Sequence, residues 1–250
     1  MTDSSLPPIR AIVTGHTRGL GAALATQLLE RGAAVLGVSR GEHPHLAAQF
    51  GERFAQVALD LSDPAKLAAW LASGALERFA QGARCVLLIN NAGAVEPIGP
   101  LATQTPEAIA LAVGLNVTAP LMFASAVAKL GGGALERRIV HVSSGAARNA
   151  YAGWSVYCAT KAALDHHARA VALDANGPLR IASVAPGVVD TDMQATIRGT
   201  DAARFPQLER FEQLKASGAL TTPDDAARKL LDYALGEAFG AEAVTDVREL

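Results

Sequence analysis

Short, nearly unbroken apolar runs recur along this 250-residue chain, at Ile9–Thr14, Ala34–Val38, Phe54–Leu59, Cys85–Ile89, Ile139–Ser143 and Leu179–Ala185, with a shorter one at Val244–Val247. A strand with one face in water alternates apolar and polar residues, whereas an unbroken run is buried on both faces. Helix-length segments separate the runs. This pattern predicts an α/β fold: one doubly wound, mainly parallel sheet of about seven strands with helices on both faces. With 50 % hydrophobic and 18 % charged residues the chain can fill a large core, and no repeat or linker divides it, so a single domain over residues 1–250 is expected.

The first run passes into Thr14-Gly15-His16-Thr17-Arg18-Gly19-Leu20-Gly21 and then an alanine- and leucine-rich helix pattern over Ala22–Glu30. Strand, glycine-rich turn and helix is the unit that holds a dinucleotide pyrophosphate in Rossmann-type sheets, because helix N-terminal amides face the phosphates and glycines admit close backbone approach. Tight packing of helix on strand would leave the same glycines. The second run closes with Ser39-Arg40, where an acidic residue would bind a ribose 2′-hydroxyl and an arginine accommodates a 2′-phosphate; Arg40 and Arg18 therefore favour NADP(H) over NAD, the alternative being two ordinary solvated loop charges. Ligands in such sheets lie beyond the carboxyl ends of the strands. By that rule Gly15, Arg40, Asp60, Asn90 and Ser144 share one edge.

Tyr157 and Lys161 are four residues apart in a helix pattern over Val156–Asp174, so they share one helical face. A phenol of pKa about 10 transfers protons poorly at neutral pH, and a neighbouring ammonium is expected to lower that value. The Ser144 hydroxyl can donate to the same substrate oxygen. The bland alternative is a helix-face aromatic beside a solvated lysine. Asn116, in the apolar middle of a helix over Pro106–Leu130, is either a satisfied core amide or a group that holds a water or kinks the backbone near the site. His43-Pro44-His45 has no third ligand at a suitable interval and reads as a surface loop, with no metal expected, and His166 and His167 read as surface or interface residues.

The formal charge of −2 and scattered basic residues give no field for nucleic acid. Two cysteines, Cys85 and Cys158, form no paired framework, and residues 1–8 carry no signal-peptide pattern, so a cytoplasmic protein is expected. Ala108–Ala128 is uncharged and long enough for a bilayer, but Asn116, Thr118, Pro120 and Ser125 favour a helix inside the protein or at a subunit contact, with no membrane partner.

With these residues together, the chain resembles the short-chain dehydrogenase/reductase family over nearly its whole length: Thr14-Gly15-x-x-x-Gly19-x-Gly21, Asp60, Asn90-Asn91-Ala92-Gly93, Asn116, Ser144, Tyr157-x-x-x-Lys161 and Pro186-Gly187 with Thr191. The resemblance implies Tyr157 as general acid/base, Lys161 on the nicotinamide ribose, Ser144 on the substrate carbonyl and Asn116 supporting a proton-relay water. It implies Thr191 at the carboxamide and Asp60-Leu61 at the adenine. Thr17, Leu20 and Val189 are implied as further cofactor contacts. Gly153–Cys158, Asp190–Gln194 and Glu212–Lys215 look like the sepiapterin reductase and bacterial benzil reductase branch, NADPH-dependent reductases of diketone-type carbonyls. That likeness implies Tyr151, Trp154 and Met193 as pocket walls, Asp246 as a possible pterin anchor, and a homodimer or homotetramer through the helices around 106–130 and 156–175. A polar, interrupted region at about 190–221, with Phe205, Leu208, Phe211 and Leu214 as its apolar face, is expected to close over substrate as a lid. An NAD-linked alcohol dehydrogenase and a catalytically silent cofactor-binding protein are the competing functions.

Overall fold

In the computed structural model, which describes residues 9–131, 135–174 and 177–250, the apolar runs become the strands of one sheet. β1 (Ile9–Thr14) is followed by α1 (Gly19–Glu30), β2 (Ala34–Ser39), α2 (Leu46–Phe50) and β3 (Phe54–Ala58). Next come α3 (Pro64–Leu71), α4 (Ala75–Ala80), β4 (Cys85–Asn90), α5 (Pro106–Val113), α6 (Ala119–Ala128) and β5 (Glu136–Val142). The chain continues through α7 (Ser155–Leu173), β6 (Leu179–Ala185), α8 (Asp192–Arg198), α9 (Leu208–Ala216), α10 (Pro223–Leu235) and β7 (Val244–Asp246). Across the sheet the order is β3-β2-β1-β4-β5-β6-β7, and every neighbouring pair is parallel. Residues 1–8, read above for a leader pattern, lie outside the described residues.

Period-two alternation sends successive strand residues to opposite faces. Val13, Val140 and Ala182 pack with Leu24 and Leu28 of α1 and Leu230 and Leu231 of α10. Their neighbours Ile12, Ile139 and Ile181 pack on the other face with Leu67 of α3, Phe123 and Val127 of α6 and Ala168 of α7. Each such side chain taken from water contributes about 1.5–3 kcal/mol, which is why the runs are apolar throughout. Three helices start on the same signal, a capping oxygen followed by proline. Asp63 caps α3, Thr105 caps α5 and Thr222 caps α10, each accepting backbone N–H bonds ahead of Pro64, Pro106 and Pro223.

Two local features differ from the sequence reading. Residues 46–53, to which the sequence reading gave no element, form α2 and a 3-10 turn. The helix expected over Pro106–Leu130 is interrupted by a wide π turn at Gly114–Thr118. Here Gly114 comes so close to Ser62 that a Cβ would sit 2.9 Å from the Ser62 carbonyl oxygen. The whole segment Pro106–Ala128 is long and apolar enough to cross a membrane by length and composition, and in the fold it packs against α3, α7, β4 and β5.

The chain leaves β1 towards β2 on one side and returns to β4 on the other. A crevice therefore opens at the carboxyl ends of β1 and β4, the usual ligand position in such sheets.

Candidate active site

The glycine turn is stapled to the end of β4. The Thr14 hydroxyl oxygen accepts from the Asn91 and Ala92 amides at 2.9 and 3.0 Å, and the Asn91 side-chain amide donates to the Thr14 and Gly15 carbonyls at 2.9 and 3.3 Å. Gly15 and Gly19 have φ of 71° and 55°, which other residues adopt at a cost. A Cβ on Gly21 would collide with the Gly15 carbonyl oxygen. Arg18, at the N-cap of α1, makes no capping bond, and the first turn holds no acidic residue, so the helix's N-terminal amides are left for an external acceptor. Thr17 is half-buried, Arg18 exposed and Leu20 part of the core beneath.

Arg40 is exposed just past β2. Asp60 accepts from the Ser62 hydroxyl and amide at 2.7 and 3.0 Å; these bonds, and then the nearby Arg40 charge, hold its carboxyl below the ordinary range. The Leu61 side chain belongs to the core. His16, which sequence reasoning passed over, is fully buried, and its ring occupies the space that a Cβ on Gly37 would need. Gln56 Oε1 accepts the His43 amide at 2.8 Å and lies 3.1 Å from His16 Nε2, which makes Nε2 a donor. A glycine in mid-strand opposite a histidine in the turn was the available signal.

Asn90 and Asn91 have separate tasks. Asn91 holds the turn, whereas Asn90 faces the core and donates to the Pro120 carbonyl at 3.3 Å and to His141 Nδ1 at 3.1 Å. His141 Nε2 must then carry the proton, which it donates to His167 Nδ1 at 3.0 Å. His167 is thus a half-buried partner of a core histidine and not a surface residue, while His166 is exposed. Burial, followed by the His167 and Lys161 charges, pushes His141 down to about 3.

Asn116 is fully buried at the π turn. Its Oδ1 accepts from the Ala94 amide at 2.9 Å, and its Nδ2 donates to the Ala94 carbonyl at 2.8 Å and to Thr160 Oγ1 at 3.2 Å. The side chain pairs with backbone as another peptide would, and thereby fixes the path after Gly93. A Cβ on Gly93 would lie 3.3 Å from Asn116 Oδ1 and 3.6 Å from Lys161 Nζ, so these three positions are neighbours.

Ser144 follows β5, and its Oγ accepts from the Ala146 amide at 3.1 Å, leaving its proton available. Ser143 is turned inward and donates to Asp165 at 2.6 Å. Tyr157 sits in the first turns of α7, 7 % exposed, with its hydroxyl 4.0 Å from Met193 Sδ. Lys161 Nζ donates to the Val142 carbonyl at 2.8 Å and lies 5.8 Å from the centre of the Tyr157 ring. The expected lowering of the phenol by the ammonium does not occur in this state. Burial pushes Tyr157 up to about 12 against the opposing Ser144 hydroxyl, and burial brings Lys161 down to about 8 against the opposing Asp165 charge.

Beyond Tyr157 lies an aromatic cluster. Trp154 contacts Tyr157 and Tyr151 edge-on at 5.3 and 5.5 Å and stacks on Phe205 at 4.5 Å, with Phe211 at 5.3 Å. Phe205 is fully buried and Trp154 nearly so; Tyr151 and Met193 are half-buried. Trp154 therefore backs the site, and Tyr151 and Met193 stand in front. After β6, Pro186 and Val189 are buried, and Gly187 turns the chain at φ 79°. Thr191 lies against the glycine turn, its methyl 3.1 Å from the Cβ position of Gly19, while Asp192 pairs with Arg18 at 3.2 Å. Asp246 is buried and its carboxylate is bound by Arg248 through Nε at 2.8 Å and Nη2 at 2.6 Å, so it is not a free anchor for a pterin.

Comparisons with known proteins place the chain among relatives of similar length. Residues 10–202 match the family model of the short chain dehydrogenases. The chain is 35 % identical over 245 residues to a benzil reductase ((S)-benzoin forming) of Bacillus cereus, covering 95 % of this chain and 98 % of that one. It is 32 % identical over 250 residues to the sepiapterin reductase of Meriones unguiculatus, covering 94 % of each. Among solved structures, a short-chain dehydrogenase/reductase from Burkholderia vietnamiensis is 58 % identical, with a TM-score of 0.71 over 98 % of this chain and 99 % of that one.

Proposed function

The chain belongs to the short-chain dehydrogenase family of nicotinamide-dependent oxidoreductases, and from that membership we propose an NADPH-dependent carbonyl reductase whose proton donor is Tyr157. The observation that carries this reading is the Tyr157 hydroxyl itself, buried next to Ser144, with Lys161 Nζ 5.8 Å from the centre of its ring. A reduction consumes a proton at the substrate oxygen, and a neutral phenol is the form that supplies it. Ser144, whose oxygen already accepts from Ala146, donates to the same oxygen and orients it. Lys161 is a cation in the same wall. Asn116 holds the backbone after Gly93 and so fixes the floor on which these groups meet.

The glycine turn, with no room for a Cβ at Gly21 and an uncapped α1, suits a dinucleotide pyrophosphate. When bound, the nicotinamide supplies the hydride. Arg18 and Arg40, with no acidic residue ending β2, favour the 2′-phosphate of NADPH. Asn91, Ala92 and Gly93 would line the cofactor's path along β4, and Pro186, Gly187, Val189 and Thr191 would frame its nicotinamide end. α8 and α9 act as a lid over a ketone or diketone, the substrate type named for the benzil reductase relative. Exposed Leu111 and Val113 of α5 and Leu173 of α7 support pairing of subunits through these helices.

Tyr157→Phe tests the reading. Turnover of benzil with NADPH should fall about 10²–10⁴-fold while NADPH affinity stays within a few-fold; wild-type turnover in the variant would overturn the mechanism. Equal use of NADH at low cofactor concentration would overturn the roles of Arg18 and Arg40.

A further inference from the structure

Three guanidinium groups converge beside Tyr151, from three separate elements. Arg148 lies in the turn after Ser144, Arg210 in α9 and Arg248 just past β7. Arg148 Nη2 is 3.7 Å from Asp246 Oδ2, Arg210 stands 6.0 Å over the Tyr151 ring, and Arg248 Cδ is 3.8 Å from the Cβ position of Gly187. Their setting is the mouth of the proposed reductase site, because Tyr151 packs on Trp154, Trp154 packs on Tyr157, and Gly187 opens the loop after β6.

Their charge is not balanced. Arg148 and Arg248 share the single carboxylate of Asp246, and the exposed Glu249 acts on Arg248 at longer range. Arg210 makes no ion pair among the described residues. Asp246, 2 % exposed, engages Arg248 through Nε and one Nη, so the guanidinium is fixed while its remaining N–H groups face outward. One arginine with this bidentate geometry neutralises a buried carboxylate. A second at 3.7 Å adds like-charge repulsion and contributes little to the fold. Arg210 over the Tyr151 ring and Arg148, held only at 3.7 Å, leave N–H groups for a ligand bearing a carboxylate.

We propose that the substrate of this site is a ketone carrying a carboxylate, which Arg148, Arg210 and Arg248 bind at the mouth while the ketone reaches Tyr157. This inference rests on the carbonyl reductase reading and narrows it to an anionic substrate class.

Two substrates that share one reacting ketone test it: 5-oxo-5-phenylpentanoate, an anion whose carboxylate is held away from the ketone by a flexible methylene chain, and its neutral methyl ester, assayed by NADPH oxidation beside benzil. The wild-type enzyme should show kcat/KM at least about tenfold higher for the acid than for the ester, since charge-assisted bonds to a guanidinium contribute on that order. Arg148→Met and Arg210→Met should each lower the acid-to-ester ratio about tenfold, with unchanged melting curves, and Arg148→Lys should restore part of it. A wild-type ratio of one or less, ratios unmoved in both variants, or reduction of benzil alone would overturn the anion site while leaving the reductase. Absence of NADPH oxidation with all three compounds would overturn the reductase and the anion site together.

Discussion

Lys161 ties proton inventory to pH more directly than any other residue of the site. Its ammonium is buried, donates to the Val142 carbonyl and has been brought down to about 8. A lysine with a lowered pKa is charged below that value and loses its proton as pH rises through it. The rate of reduction should be level near pH 7 and fall above about 8, approaching tenfold per pH unit. Lys161→Arg, which keeps its charge throughout, should move that descending limb upward, and a pH–rate profile unchanged by the substitution would refute the assignment. The Tyr157–Lys161 spacing was legible from sequence. What the pair does to its own proton affinities was not, because burial in a cluster that includes Ile98 and Phe205, distant in sequence, sets the sign. His167 was misplaced for the same reason: its partner His141 is 26 residues away on a strand.

At the scale of elements, strands and helix starts were readable because their signals are local. Unbroken apolar runs gave β1 to β6, and Asp63-Pro64 and Pro223 marked α3 and α10 within a residue or two. The π turn at Gly114–Thr118 was not readable, since it accompanies a bond from Asn116 to Ala94, 22 residues earlier. The segment containing α8 and α9 was legible as interrupted and amphipathic, and its docking point was not. That docking is concentrated in Phe205, fully buried and stacked on Trp154, with Arg204 Nη2 donating to the Ile98 carbonyl at 2.8 Å. Phe205→Ala should remove about 3–5 kcal/mol of local packing. If the segment is a lid, that loss appears as faster proteolysis within 199–218 and a raised KM, with the global melting temperature little changed. A full drop in melting temperature without new cleavage would show that the segment belongs to the core.

The whole molecule is two apolar layers on one sheet, and its most acid-sensitive point lies in the second. His141 is fully buried, neutral and held at about 3, far below the unfolded value near 6.5. The folded chain therefore binds fewer protons there than the unfolded chain. Stability is complete above about 6.5 and is lost as pH falls towards 3, at about 1.4 kcal/mol per unit. The lowered carboxyls of Asp60, Asp63, Glu136, Asp225 and Asp246 act only below about 5, so the interval from 6.5 to 5 belongs to the histidines. Denaturant melts of the wild type and His141→Asn across that interval should show a slope that the variant flattens; equal slopes would place the sensitivity elsewhere.

The strand order also has a consequence for how the chain is made. β1 is made before β2 and β4, between which it lies, so one of its edges is completed by residues 34–39 and the other waits for residues 85–90. Until then the nascent β1-β2-β3 half presents an unpaired edge flanked by the apolar Ala11, Ile12 and Val13, the kind of template that recruits other strands. Crowding on polysomes and the supply of chaperones, more than the stability of the finished protein, would then set how much of this enzyme a cell obtains.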